Sequence, residues 1–144
     1  MITISTAILV NPNREILVNL RDNDPEIIFP NQWSLIGGHV EPGGKPEDGL
    51  IREVKEEIGF VLTKYCLLAT FFDGPDIRYL YLVPIVLPIT QLTLGEGQAI
   101  RFINPHQALS DLDLCITARR CIEVYLRHLE LQGYLKARED KRNL

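Results

Sequence analysis

Little in this chain of 144 residues points to covalent or membrane-based stabilisation. There are three cysteines, Cys66, Cys115 and Cys121. An odd number with no C-x-x-C spacing argues against a disulfide framework or a cysteine zinc site. Buried thiols in a reducing compartment are the expectation. No apolar run approaches the roughly 20 residues a membrane helix needs. The longest, Tyr79–Pro88, is interrupted by Pro84. Met1–Val10 carries no basic stretch and no small-residue cleavage pattern, so a cytoplasmic protein with no membrane partner is expected. Positive charge is in short supply. Lys and Arg number 15 against 19 Asp and Glu, a net charge of −4. Bulk nucleic acid, which needs a basic footprint, is therefore excluded as the main partner. The remaining composition is ordinary, 46% hydrophobic and 24% charged. A chain this long buries about 68–70% of its unfolded surface and holds a core without staples. One domain over residues 1–132 is expected, with a charged C-terminal tail over 133–144.

The β-branched run Thr3–Val10, the turn residues Asn11–Arg14 and the run Ile16–Leu20 read as a hairpin. Asp22–Pro30 reads as a loop, and Trp33–Ile36 as a short apolar run ending in Gly37-Gly38. The Gly- and Pro-rich stretch Glu41–Pro46 is too short to separate domains and reads as a tight loop entering a helix. Pro46 suits a first helical turn, Glu47 and Asp48 suit its positive end, and Gly59 suits the stop, giving a helix over Pro46–Ile58. Tyr65–Phe72 and Ile77–Leu87 read as strands joined by Asp73-Gly74-Pro75-Asp76, with Pro84 marking an edge or a bulge. Residues 88–97 read as a loop and Ala99–Ile103 as a strand. A short helix begins at Asn104-Pro105, and a long one runs over Leu114–Leu131. Strands mixed with helices in one domain make an α/β or α+β sandwich.

The helix after the glycine-rich loop carries the chemistry. At about 100° per residue, Glu53, Glu56 and Glu57 share a face about 100° wide, apart from the stripe of Val54, Ile58 and Ile51. The like-charge pairs Glu53/Glu56 and Glu53/Glu57 each cost roughly 0.2–0.5 kcal/mol, and they sit toward the helix's negative end. A divalent cation reverses that sign, and carboxylate oxygens suit a hard ion such as Mg²⁺. A solvated acidic face is the alternative. Gly37 and Gly38, lacking side chains, let backbone approach this face closely.

The segment Gly37–Phe60, GGHVEPGGKPEDGLIREVKEEIGF, resembles the signature of the Nudix hydrolases. Gly38, Arg52, Glu53, Val54, Glu56, Glu57, Gly59 and Phe60 match, and Gly44 stands where the family has Glu. The order of elements as far as Leu131 agrees. The resemblance implies an α/β/α sandwich with a mixed sheet between helices. It also implies hydrolysis of a nucleoside diphosphate linked to another group, with Mg²⁺ or Mn²⁺. It implies that Glu53, Glu56 and Glu57 hold the metal, with the Gly37 carbonyl, and that Arg52 orients the glutamates. Many members place a metal-binding or general-base Glu in a later loop, and Glu96 is the candidate, against a loop carboxylate in water. Glu41 or Glu47 is the candidate partner for Arg52 in the absence of a Glu at 44.

Arg21 is a candidate for a substrate phosphate, against a surface role, and Gly38 for backbone contact with substrate. Phe29 and Trp33 are read as core residues before base-stacking ones, His39 as structural, and Arg119-Arg120 as a solvated face or an interface. A nucleoside triphosphate cleaved to monophosphate and pyrophosphate is the expected reaction. The alternative is a nucleotide-binding regulatory module with weak or no catalysis. An isomerase or transferase acting on a diphosphate ester finds no acid pair or Cys nucleophile to support it. Homodimers are common among similar proteins, so a homodimer is an expectation of the resemblance alone.

Overall fold

β1 (Thr3–Val10) is the strand on which the rest is assembled in the computed structural model, which describes residues 1–143. It turns back through β2 (Ile16–Leu20), pairing antiparallel at Val10–Ile16. The two strands then diverge, and β3 (Trp33–Ser34) and β4 (Ile36–His39) fill the wedge. β3 pairs with β2, and β4 runs antiparallel to β1 with Thr6 opposite Gly37 and Ser5 opposite Gly38. The hairpin of β5 (Cys66–Asp73) and β6 (Asp76–Pro84) turns through Gly74 at φ 63 and lays β6 parallel to β1. β7 (Ala99–Ile103) pairs with β2. One parallel pair among antiparallel ones makes a mixed sheet, with the path β3-β2-β1-β6-β5.

Strand alternation sends side chains to two faces. Ala7, Leu9, Leu17 and Ile36 meet Leu50, Val54 and Ile58 of α1 (Pro46–Ile58) on one. Ile8, Ile16, Val18 and Leu80 meet Ala118, Cys121 and Ile122 of α3 (Ile116–Arg142) on the other, with α2 (Pro105–Asp111) alongside. The fold is therefore a single-domain α/β sandwich. No helix of the described residues is long and apolar enough to cross a membrane.

α1 has the bounds its end signals predict. Pro46 opens it, Ser5 Oγ donates to the Pro46 carbonyl at 2.6 Å, and Gly59 closes it at φ 70. Three expectations are corrected. Pro84 marks no edge or bulge of its own strand. It is the exposed last residue of β6, which lies between β1 and β5, and Ile85–Leu87 fall outside the strand. Cys66 is exposed at the start of edge strand β5, whereas Cys115 and Cys121 are buried. α3 continues past Leu131 to Arg142, fully exposed there, so residues 133–142 of the expected tail are helical. Leu144 lies outside the described residues.

Candidate active site

The helical period places Glu53 and Glu57 on the side of α1 that leans over β4. Gly38 is what lets Glu53 lie there. A Cβ at position 38 would stand 2.5 Å from the Glu53 carboxyl carbon. Gly37 faces the neighbouring strand, and a Cβ on it would run into the Ser5 carbonyl. Arg52 anchors the turn that precedes α1. Its Nη2 donates to the His39 carbonyl at 2.7 Å and lies 3.5 Å from Glu53 Oε1, and its Nη1 lies 3.7 Å from Glu41 Oε1. Of the two carboxylates suggested as partners for Arg52, Glu41 is the one within ion-pair distance.

A second segment, packed on the same face of the sheet as α1, reaches the acidic face. The loop between β6 and β7 covers the last turn of α1, with Thr93 N–H donating to the Ile58 carbonyl at 3.0 Å and Gly95 N–H to the Glu57 carbonyl at 2.8 Å. Those carbonyls have no partner within the helix. A Cβ at Gly95 would collide with the Glu56 carbonyl, and Gly97, at φ 90, passes against Leu20. Glu96 is thereby fixed close enough to Glu53 and Glu57 to act on the charge of both.

The electrostatics follow from this crowding. Burial pushes the Glu57 carboxyl up to about 8, helped by Glu53 and Glu96 and only partly offset by the Gly37 amide and Arg21. Burial also raises Glu53, followed by the charge of Glu56, against the pull of Arg52. Glu57 Oε2 is buried with no hydrogen-bond partner, an orphaned acceptor that normally costs about 1–3 kcal/mol. Among the described residues no group of three or more His, Cys, Asp or Glu stands ready to hold a metal ion. Glu56 is exposed, and like charges without a counter-ion do not draw together. The orphaned oxygen and the mutual repulsion of Glu53, Glu57 and Glu96 are nevertheless what a hard cation relieves, so this donor set fits one.

Behind Gly37 and Gly38 a cavity of about 460 Å³ opens on the α3 face. Arg21 lines it and donates through Nε to the Ile28 carbonyl at 2.8 Å, holding the loop that carries Phe29. Phe29 lines the cavity as well as packing on the α3-side core, while Trp33 packs on that core alone and accepts from Cys115 N–H at 2.9 Å. His39 lines the cavity and gives its carbonyl to Arg52. Three charged residues meet at the far wall, an association that no local pattern announced. The Asp73 side chain, 8% exposed, lies between Arg78 and Arg120. Arg120 is exposed, as a solvated face would be, yet pairs with Asp73 at the cavity wall, whereas Arg119 ties α3 to α2 through the Leu109 carbonyl. The turn Asp73–Asp76 was visible, but nothing local linked Asp73 to an arginine 47 residues away.

Comparison with known proteins agrees with the geometry. Residues 2–125 match the NUDIX domain family. The chain is 31% identical over 136 residues to the nucleoside triphosphatase NudI of Escherichia fergusonii, an alignment covering 85% of this chain and 94% of that protein. Its fold is similar to the MutT protein from Methanosarcina mazei Go1, with a TM-score of 0.70 at 21% identity, covering 88% and 93% of the two chains. It is also similar to the NUDIX domain of Shewanella oneidensis NrtR, solved with ADP ribose, with a TM-score of 0.72 at 16% identity, covering 90% and 88%.

Proposed function

Because this chain belongs to the Nudix hydrolase family, we propose that it is a divalent-metal-dependent pyrophosphohydrolase that takes a nucleoside triphosphate to the monophosphate and pyrophosphate. Hydrolysis of Nudix type follows from membership. The metal, the triphosphate and the residue roles are inferred from the site. The observation that carries it is the junction at Gly37-Gly38, where an acidic face with an orphaned Glu57 oxygen adjoins a cavity of nucleoside size. The triphosphatase activity named for the E. fergusonii relative supports the substrate class.

Glu53 and Glu57 would hold Mg²⁺ or Mn²⁺, with exposed Glu56 and the Gly37 carbonyl to complete the set. The chemistry such an ion would supply is neutralisation of the diphosphate and a lowered pKa for the attacking water. Glu96 accepts the proton of the water that attacks phosphorus, because its loop is pinned to α1 beside Glu53 and Glu57. Arg52 holds Glu53 in place through the 3.5 Å ion pair. The Gly38 backbone and Arg21 border the phosphate path into the cavity. The nucleoside enters the cavity with Phe29 in its wall.

The same reading places the protein in the cytoplasm, in keeping with three unpaired cysteines. It is a homodimer, for which β5 offers an open sheet edge with Leu67 and Phe72 exposed. A binding module without turnover is the second reading. It is favoured by Gly44, which leaves Arg52 a single exposed acid, Glu41, in the preceding turn.

A hydrolysis panel of nucleoside triphosphates with Mg²⁺ or Mn²⁺ tests the proposal. Release of pyrophosphate that chelation stops and Glu57→Gln removes is the expected result. Nucleotide binding with no turnover across the panel selects the second reading. Full turnover by a folded Glu57→Gln protein overturns the metal assignment.

A further inference from the structure

The far wall of the cavity holds charges that the acidic face does not use. Asp73 Oδ2 accepts from Arg78 Nε at 3.0 Å and Nη2 at 2.8 Å, and its Oδ1 accepts from Arg120 Nη1. Arg78 is buried and gives its third nitrogen, Nη1, to Thr6 Oγ1 at 2.5 Å. Every nitrogen of that guanidinium has a partner. Arg120 differs. Among the described residues Asp73 is its one hydrogen-bond partner, its side chain is 43% exposed, and it lines the cavity. A guanidinium has five N–H donors and no acceptor, so Nε and Nη2 remain as donors at the cavity wall. Both Asp73 oxygens are engaged by arginines, so what Arg120 and Asp73 together present to the cavity is the spare donors of Arg120.

The position of that wall sets what meets it. Gly38 lies in β4 and Asp73 ends β5, with β1 and β6 between them. Straight across from Gly38 the register runs through Ser5 and Tyr79 to Thr70, so three strand spacings and the three residues from Thr70 to Asp73 make on the order of 17 Å. A nucleotide with its phosphates at Gly38 therefore turns the outer edge of its base toward Arg120. Phe29, also in the wall, sits at φ 53, a conformation that a bulky residue rarely adopts and that tends to mark a functional position. The Arg21–Ile28 bond and the 2.9 Å bond from Gln98 Nε2 to Asn31 Oδ1 hold its loop.

We propose that Arg120, fixed in orientation by Asp73, is a specificity-determining residue that reads a carbonyl on the outer edge of the base, favouring uracil and thymine over cytosine. The inference rests on the reading that the cavity takes the nucleoside end. Uracil and thymine present a carbonyl oxygen at position 4, which accepts from Arg120. Cytosine presents an amino group there, and donor against donor leaves both unpaired.

Calorimetric titration of UMP and CMP against the wild-type protein and Arg120→Met tests this, with thermal melting confirming that the variant folds. Wild type is expected to bind UMP about tenfold more tightly than CMP, and Arg120→Met to bring the two within about twofold. Equal affinities in the wild type, no binding of either, or a preference that survives Arg120→Met overturns the inference. Should Arg120→Met fail to fold, the wild-type ratio still decides, and Arg120→Lys, which keeps the charge without the fork, is expected to lose part of it. Turnover is a separate readout. A UMP preference without hydrolysis of any triphosphate sinks the proposed function alone, and hydrolysis without base preference sinks this inference alone.

Discussion

The two faces of the sheet treat their acids in opposite ways. On the α3 face the Asp73 side chain is enclosed with a guanidinium on each oxygen, and Arg78 has no nitrogen left unbonded. On the α1 face Glu53 and Glu57 crowd each other and Glu96, with Arg52 at 3.5 Å as the near cation and one Glu57 oxygen unpartnered. The first arrangement is complete within the folded chain. The second is unfavourable until something positive joins it. A strongly perturbed group with no structural partner, beside a cavity, is a sign of chemistry, and the paired Asp73 shows what this chain does with an acid that serves the fold.

The sharpest break in that comparison is to neutralise one acid on each face. Asp73→Asn leaves Arg78 buried without its counter-ion and is expected to cost about 3–5 kcal/mol by urea denaturation. Arg120, half exposed, adds little to that loss. Glu57→Gln removes repulsion instead. The metal-free variant is expected to be at least as stable as wild type, while turnover falls roughly a thousandfold because about 4 kcal/mol of transition-state stabilisation goes with the metal site. An Asp73→Asn protein as stable as wild type, or a Glu57→Gln protein clearly less stable, would erase the distinction between the faces.

Two adjacent glycines sharpen it next. An alanine at Gly38 meets the end of a flexible side chain, Glu53, which moves aside. Stability is expected to change little, while a shift of Glu53 by about an ångström costs on the order of a hundredfold in kcat. An alanine at Gly37 meets the Ser5 carbonyl, which is backbone in β1. That substitution is expected to cost about 1–3 kcal/mol of stability. Comparable melting temperatures for the two variants would contradict the geometry.

The charge imbalance has a pH signature. The folded protein holds the Glu57 proton up to about 8, against an ordinary value of 4.5. This stabilising contribution is fully present below the ordinary value and is lost as pH rises through the folded one. The melting temperature of metal-free wild type is therefore expected to fall relative to Glu57→Gln across that window. Saturating Mn²⁺ should cancel the fall. Parallel pH profiles for the two metal-free proteins would remove Glu57 as its source.

How much of this was legible depends on how far apart in the chain the partners lie. α1 was readable to the residue, because Pro46, Gly59 and the apolar stripe are local signals, and the same period placed the three glutamates on one face. Glu96 emerged only through resemblance. Its position depends on the Gly95 and Thr93 amides capping α1, a contact across about 40 residues that no periodicity reports. The group of Asp73, Arg78 and Arg120 was illegible, since it joins β5, β6 and α3. Arg119 and Arg120 look alike in sequence, but about 100° of helix rotation sends one to α2 and the other to the cavity. The extra turns of α3 were missed because apolar periodicity fades after Leu131, although Lys, Ala, Arg and Glu still favour helix there.

The smallest expected effect concerns the one departure from the family pattern. Gly44 N–H donates to the Glu41 carbonyl at 2.8 Å, closing the turn whose Glu41 side chain reaches Arg52. Gly44→Glu restores the family's acid. It also brings a Cβ to 3.0 Å from that carbonyl, so the turn must yield by a few tenths of an ångström. The new ion pair is exposed and contributes at most about 1 kcal/mol, which the tight turn partly offsets. A change in kcat/KM of less than about fivefold is expected, because Glu41 already supports Arg52 and Arg52 acts through Glu53 rather than on substrate. The double variant Glu41→Gln with Gly44→Glu isolates the exchange. If either acid can hold Arg52, it retains the activity that Glu41→Gln alone loses. A gain well beyond tenfold from Gly44→Glu by itself would mean that Glu41 contributes nothing, and that the acidic face owes its arrangement to α1 and the Gly95 loop alone.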